Sequence, residues 1–191
     1  MESTKEFQEE TRRYFDRVAE DYDASYDGRF VRCMYREVVR RAVSLPGDRV
    51  LDLGCGSGIL AIAALCLGAG QAVGVDIDPK AVDVAYENAA LNGIGRDRCR
   101  FLAGNVIADQ GLVQELAREK AQVVLANIVA AVIIPLAPVV PQLLDREGTF
   151  LCSGIIDTRG DEVAAALEQA GLLVTTRREK NGWIALEARV R

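Results

Sequence analysis

The sequence predicts an alternating α/β protein, and two observations in one stretch carry that expectation. Val50-Leu51-Asp52-Leu53 is a short apolar run without polar alternation, as in a strand buried on both faces, and Gly54-Cys55-Gly56-Ser57-Gly58 behind it predicts a tight turn into a helix. After an apolar helical segment, Val73-Gly74-Val75-Asp76 supplies a second strand and completes a βαβ unit ending at Pro79. Half of the 191 residues are hydrophobic, enough for one domain with a sizeable core or a domain plus a small appendage, and too apolar for disorder.

Taken in order, residues 3–24 show helical periodicity through Phe7, Tyr14, Phe15, Val18 and Tyr22, broken between Asp21 and Gly28. A second helix over 29–43 aligns Val31, Met34, Tyr35, Val38, Val39 and Val43, and Ser44-Leu45-Pro46-Gly47-Asp48 punctuates the chain before the first strand. The expected division is a short helical lid over 1–45 and an α/β domain over 46–191. Within the latter, Ile59 to Leu67 form an apolar helix ended by Gly68 to Gly70, and Asp78 caps a helix that begins at Pro79 and stops at Asn92-Gly93. A third strand starts at Arg100 and exits at Asn105-Val106; a helix spans Leu112 to Lys120 and a fourth strand Ala121 to Ile128. A helix from Ala130 to Leu144 is kinked or bounded by Pro135, Pro138 and Pro141. Glu147-Gly148 turns into a fifth strand over Thr149 to Ser153, Gly154 to Arg159 form a loop, and a helix follows from Asp161 to Ala170, ended by Gly171. Leu172 to Arg177 and Trp183 to Val190 pair as an antiparallel hairpin about Lys180-Asn181-Gly182.

Composition excludes several classes. The net charge of −5 disfavours a nucleic-acid partner, since phosphate contacts call for a basic surface, and Arg36, Arg40 and Arg41 read as exposed helix arginines. The most apolar segment, Val123 to Val140, is interrupted by Asn127 and by prolines, so no membrane span is expected and a soluble, cytoplasmic protein is. Five cysteines, Cys33, Cys55, Cys66, Cys99 and Cys152, are odd in number and hold no Cys-x-x-Cys pair, against a disulfide framework or a zinc knuckle. The chain has no histidine, which removes His-dependent triads and the commonest metal ligand, and no metal site is expected.

Asp76 follows Gly54 by 22 residues, the spacing at which a nucleoside-binding fold sets a carboxylate on ribose hydroxyls. Glycines at 54, 56 and 58 are expected to let a ligand approach the backbone. The third glycine comes one residue too early for the dinucleotide fingerprint, Ile59 stands where that pattern takes Gly or Ala, and no lysine followed by Ser or Thr makes a phosphate loop. The plain alternative is a structural βα turn. Asn127, a polar residue at the carboxyl end of a central strand, lies where ligands bind in open α/β sheets, and otherwise is a turn-forming Asn.

Asp52-Leu53-Gly54-Cys55-Gly56-Ser57-Gly58 together with Asp76 resembles the S-adenosylmethionine site of class I methyltransferases. The resemblance implies a Rossmann-like, seven-stranded, mostly parallel sheet with a C-terminal antiparallel hairpin and helices on both faces. It implies cofactor contacts from Asp52, Gly54, Cys55, Gly56 and Gly58 around the glycine turn that carries the methionine end, from Asp76 at the ribose, from Asn105 and Val106 at the adenine edge, and from Ile77. Asn105 stands where an acidic residue is often found. Tyr14 to Asp23 resembles the lid of small-molecule methyltransferases, with Tyr22 as the lid contact, or else its aromatics only staple a helix.

From Val50 onward the chain also resembles the catalytic domain of the bacterial methyltransferases that modify the stalk-base protein of the large ribosomal subunit. The matching residues include Gly74-Val75-Asp76-Ile77-Asp78-Pro79, Glu87-Asn88, Ala126-Asn127-Ile128, Leu136-Ala137-Pro138, Ser153-Gly154-Ile155-Ile156-Asp157 and Trp183. That family carries a recognition domain and a His-containing, threonine-rich stretch before the first strand; here the helical lid stands instead. The expectation is an S-adenosylmethionine-dependent N-methyltransferase of a small-molecule amine, with Asn127 both at the cofactor and as the catalytic contact to the acceptor. The alternatives are a protein lysine or N-terminal amine as acceptor, a non-catalytic nucleoside-binding module, and a nicotinamide-dependent oxidoreductase that accommodates the shifted glycine.

Overall fold

A computed structural model describes residues 47–191. The expected helices at 3–24 and 29–43, the lid and its Tyr22 contact lie outside the described residues. The chain runs β1 (Arg49–Leu53), α1 (Ile59–Cys66), β2 (Gln71–Asp76), α2 (Pro79–Leu91), β3 (Cys99–Ala103), α3 (Gln110–Ala117), β4 (Ala121–Asn127), α4 (Ala130–Leu136), α5 (Val140–Leu143), β5 (Leu144–Ile156), a single 3-10 turn Asp157–Arg159, α6 (Gly160–Gln169), β6 (Leu172–Lys180) and β7 (Trp183–Val190).

All seven strands form one sheet in the order β3-β2-β1-β4-β5-β7-β6. The five strands from β3 to β5 pair in parallel, and β7 pairs antiparallel with both β5 and β6. The expected mostly parallel sheet with a terminal hairpin is the architecture found. The chain steps from β1 to β3 in one direction and from β3 through β4 to β5 in the other. Right-handed crossovers therefore put α1 and α2 on one face and α3 to α5 on the opposite one. Between β1 and β4 the direction reverses, which opens a crevice at the carboxyl ends of these strands. β1 and β4 are buried along most of their length, as their continuous apolar runs require.

Local chemistry sets most boundaries. Asp78 caps α2 by accepting from the Lys80 N–H at 2.9 Å, with Pro79 at the first helical position. α3 begins earlier than the periodicity suggests because the Asp109 side chain caps it, accepting from the Leu112 N–H at 3.0 Å. The single helix expected over 130–144 is two: Pro138 lies between them, and α5 restarts with Pro141 in its first turn. β5 is longer than expected at both ends. Leu144 pairs with Ala121 across an irregularity that contains the Glu147-Gly148 turn, and Ile155 and Ile156 pair with Ile184 and Trp183 of β7. The β6–β7 turn has Asn181 at φ 54° and Gly182 at φ 79°, the two left-handed residues of a type I′ hairpin. No helix among the described residues is long and apolar enough to cross a membrane.

Candidate active site

The corner after β1 is drawn against β2 by two hydrogen bonds to one oxygen: the Gly54 and Cys55 N–H groups donate to the Val75 carbonyl at 2.8 and 3.1 Å. Gly54, Gly56 and Gly58 all have positive φ (73°, 50° and 77°), so each suits glycine on backbone grounds alone. Their missing side chains serve different ends. A Cβ on Gly58 would stand 2.9 Å from the Ala85 Cβ and 3.1 Å from the Phe101 ring, so this glycine lets α2 and β3 pack against the turn. A Cβ on Gly54 would meet the Ile128 side chain at 2.6 Å, whereas one on Gly56 would meet nothing within 4 Å among the described residues.

Two carboxylates flank this corner. Asp76, half-buried at the end of β2, accepts from the Gly56 N–H through Oδ2 at 2.8 Å and from the Asp78 N–H through Oδ1 at 3.0 Å. Each oxygen retains acceptor capacity toward the crevice. Asp52 lies beneath the turn and is 1% exposed. Its Oδ2 accepts from the Ala61 N–H at 3.2 Å, in the first turn of α1, while Oδ1 has no partner among the described residues. Burial pushes the Asp52 carboxyl up to about 7, the Ala61 N–H opposing and the Asp76 charge reinforcing the rise. The Cys55 thiol packs over Gly74 next to Phe101, and burial, with Asp52 and Asp76 adding to it, pushes the thiol up to about 12. It stays protonated and is no nucleophile at neutral pH.

A cavity of about 240 Å³ opens where the crevice was anticipated. Its lining combines Leu53 and Gly54 from β1, Val75, Asp76 and Ile77 from β2, and Gly104 to Ile107 after β3. Ile128, Val132 and Leu136, at and after the end of β4, close the remaining side. Of the residues singled out in the sequence, the structure brings Gly54, Asp76, Ile77, Asn105 and Val106 to this wall. Asp52, Cys55, Gly56, Gly58 and Asn127 lie outside it. Ile77 is 75% exposed, an apolar side chain held at the cavity's edge. Asn105 spends one Oδ1 lone pair on the Ile107 N–H at 3.0 Å, which shapes the exit of β3. Among the described residues the only charge on the wall is the Asp76 carboxylate. Such a wall offers apolar faces to a flat base and acceptors to hydroxyls, and nothing cationic to a pyrophosphate. The apolar members Ile128, Val132 and Leu136 escaped the sequence reading, although the four-residue spacing of Val132 and Leu136 marks one face of α4 and Ile128 stands four residues before it.

Next to the cavity, at the end of β4, the half-buried Asn127 is held from β5. The Ser153 hydroxyl donates to Asn127 Oδ1 at 2.8 Å, the two residues are register partners, and the Ile128 N–H donates to the Ser153 carbonyl at 3.1 Å. Gly154 then turns the chain at φ 80°.

Comparison with known proteins places this geometry in context. A family model described as ribosomal protein L11 methyltransferase (PrmA) matches residues 37–191. A ribosomal protein L11 methyltransferase from Agathobacter rectalis is 44% identical over 139 residues, which cover 73% of this chain and 43% of that protein. The solved structure of ribosomal protein L11 methylase from Lactobacillus delbrueckii subsp. bulgaricus aligns with a TM-score of 0.73 at 31% identity, over 83% of this chain and 77% of that one. The glycopeptide N-methyltransferase MtfA, in complex with S-adenosyl-L-methionine, shares the fold: TM-score 0.64 at 17% identity, over 83% of this chain and 93% of that one. The chain spans less than half the length of the curated relatives it matches.

Proposed function

The chain belongs to the ribosomal protein L11 methyltransferase family, and from that premise we propose that it transfers a methyl group from S-adenosylmethionine to an amine nitrogen of a protein acceptor. The observation that carries the proposal is the apolar cavity at the carboxyl ends of β1 and β2, with the Asp76 carboxylate fixed at its wall by the Gly56 N–H. The curated relatives are named for a ribosomal protein, so the protein-amine alternative fits them better than the small-molecule amine expected from the lid. That small-molecule expectation is set aside.

Two features fit such a cofactor: among the described residues, nothing fills the space a side chain on Gly56 would take, and Asp52 keeps a buried oxygen unpartnered beside the corner. In this reading Asp76 takes the ribose hydroxyls with its remaining lone pairs, and Ile77, Val106 and Ile107 supply apolar walls for the base. Asn105 offers its second lone pair to the base's exocyclic amine, and the Gly54 to Gly58 corner borders the methionine end. S-adenosylmethionine, when bound, supplies a methyl group already activated on a sulfonium. What remains for the protein is to hold an uncharged nitrogen in line and exclude water, and positioning of this kind is worth about 7–11 kcal/mol in favourable cases. Asn127 presents carbonyl oxygen to the amine's N–H groups and so aims its lone pair.

Calorimetric titration with S-adenosylhomocysteine tests the site, with wild type expected to bind at micromolar Kd and Asp76→Ala to lose most of that affinity. No heat with wild type would end the proposal. Methyl transfer from radiolabelled cofactor to purified ribosomal protein L11, set against a panel of metabolite amines, tests the acceptor. Label confined to the metabolites would overturn the protein reading.

A further inference from the structure

We infer that Ser153 is a positioning residue for methyl transfer, acting through Asn127, whose amide plane its hydroxyl fixes. The inference rests on the reading that Asn127 meets the acceptor nitrogen.

Among the described residues, Ser153 and Asp52 are the two buried polar side chains. Ser153 is 5% exposed, on a strand whose neighbours Leu151, Cys152 and Ile155 are buried apolar residues. Alanine or valine would fill such a place without the desolvation cost that a hydroxyl carries when it lacks a partner. The hydroxyl therefore calls for a reason, and the 2.8 Å bond it donates to Asn127 Oδ1 supplies one.

Three further features surround this bond. The parallel register sets Asn127 opposite Ser153, so the bond is short-range across adjacent strands and needs no long, flexible side chain. The Ile128 N–H bond to the Ser153 carbonyl ties the two backbones immediately beyond it. Gly154 completes the arrangement, since a Cβ there would stand 3.2 Å from Asn127 Oδ1 and 3.0 Å from the Ile128 carbonyl oxygen. A side chain at 154 would crowd the amide that Ser153 holds.

The terminal torsion of asparagine is broad and roughly two-fold, so an unrestrained amide samples many orientations. The hydroxyl's bond to Oδ1 sets the orientation of the amide, and an acceptor amine that meets this amide needs a fixed direction if its nitrogen is to meet the methyl carbon in line. Loss of the hydroxyl leaves Asn127 present but poorly aimed, a fault that affects turnover and spares cofactor affinity.

The test uses the full chain, ribosomal protein L11 as acceptor and S-adenosylhomocysteine as ligand. Ser153→Ala is expected to lower kcat about tenfold, misplacement by about 1 Å being enough for a larger loss, while Kd for S-adenosylhomocysteine stays within about twofold. Ser153→Thr, which keeps the hydroxyl, restores most of the rate. In an Asn127→Ala background, Ser153→Ala has no further effect on kcat; equal losses in both backgrounds would overturn the inference.

A second readout needs no acceptor. The chain has five asparagines, few enough for each side-chain NH2 pair to be assigned by selective 15N labelling and single substitutions. In Ser153→Ala the Asn127 pair shifts and the other four stay in place, which also certifies the fold; Ser153→Thr returns it. An unmoved Asn127 pair would overturn the inference whatever the kinetics. If wild type fails to methylate L11 while the pair moves as stated, the acceptor reading falls and the Ser153 lock stands.

Discussion

Replacing Asp52 by asparagine should change how the stability of this protein depends on pH, in a direction set by the burial of its carboxyl. The ordinary value of the carboxyl is 3.8, and burial under the glycine corner, with Oδ1 unpartnered among the described residues, pushes it up to about 7. Between those values the folded state holds a proton that the unfolded state releases. Folding stability is therefore full below the lower value, falls as pH rises through the window, and levels off above the upper one. At 1.36 kcal/mol per pH unit, the wild type should lose on the order of 3 kcal/mol between pH 5 and pH 8 from this group alone. The Asp52→Asn substitution removes the titration. The amide oxygen it introduces can still accept from the Ala61 N–H, and the cost of the buried NH2 is the same at every pH. Urea unfolding of wild type and Asp52→Asn in parallel from pH 5 to pH 8 reads the difference. The stability of the variant relative to wild type should climb with pH, most steeply up to neutrality. A flat difference across that range would show that the Asp52 carboxyl is ionised throughout, with its charge compensated in a way this geometry does not contain.

Three other perturbations separate the fold from the site. Ile77→Ser should leave urea stability within about 0.5 kcal/mol, because the side chain is largely exposed, yet weaken S-adenosylhomocysteine binding several-fold; unchanged calorimetric affinity would remove Ile77 from the cofactor. Gly58→Ala should cost about 2–5 kcal/mol in unfolding free energy, about 1–2 from its left-handed φ and about 1–3 because its Cβ meets Ala85 and Phe101. Gly56→Ala, whose Cβ meets nothing among the described residues, should cost only the left-handed backbone penalty of about 1–2 kcal/mol and act chiefly on cofactor affinity; the reverse order would contradict the assignment. Under native conditions a thiol reagent followed by mass spectrometry should label exposed Cys66 and spare Cys152, whose thiol is buried and pushed up to about 12. Labelling of Cys152 at a rate equal to Cys66 would show that β5 opens in the folded state.

The parts of this structure that were legible in the sequence are those whose cause is local. Asp78-Pro79 starts α2 through one side-chain bond and one fixed φ, and Asn181-Gly182 makes the hairpin because only such residues take left-handed conformations in succession cheaply. The Gly54 to Asp76 spacing was readable because a βαβ unit ties the two positions by a fixed path, which ends in the Gly56 to Asp76 hydrogen bond. The full length of β5 was not readable. Ile155 and Ile156 are strand because β7 arrives beside them from almost thirty residues away along the sequence, and periodicity within the segment carries no trace of that partner.

Burial of polar groups is the other thing a sequence does not announce. Asp52 reads as a cofactor contact beside glycines, and Ser153 as one residue of a strand end, yet both side chains are sequestered. A sheet core of valine, leucine and alanine gains nothing in stability from either, and in Asp52 it carries a carboxyl with an unmet oxygen. Residues that a core would be more stable without are best explained by what they hold in place. Asp52 anchors the first turn of α1 to the glycine corner through Ala61, and Ser153 anchors Asn127 to β5. The two sites lie at the carboxyl ends of β1 and β5, on either side of β4, so the crevice where the chain reverses direction is braced from both flanks by a buried polar side chain.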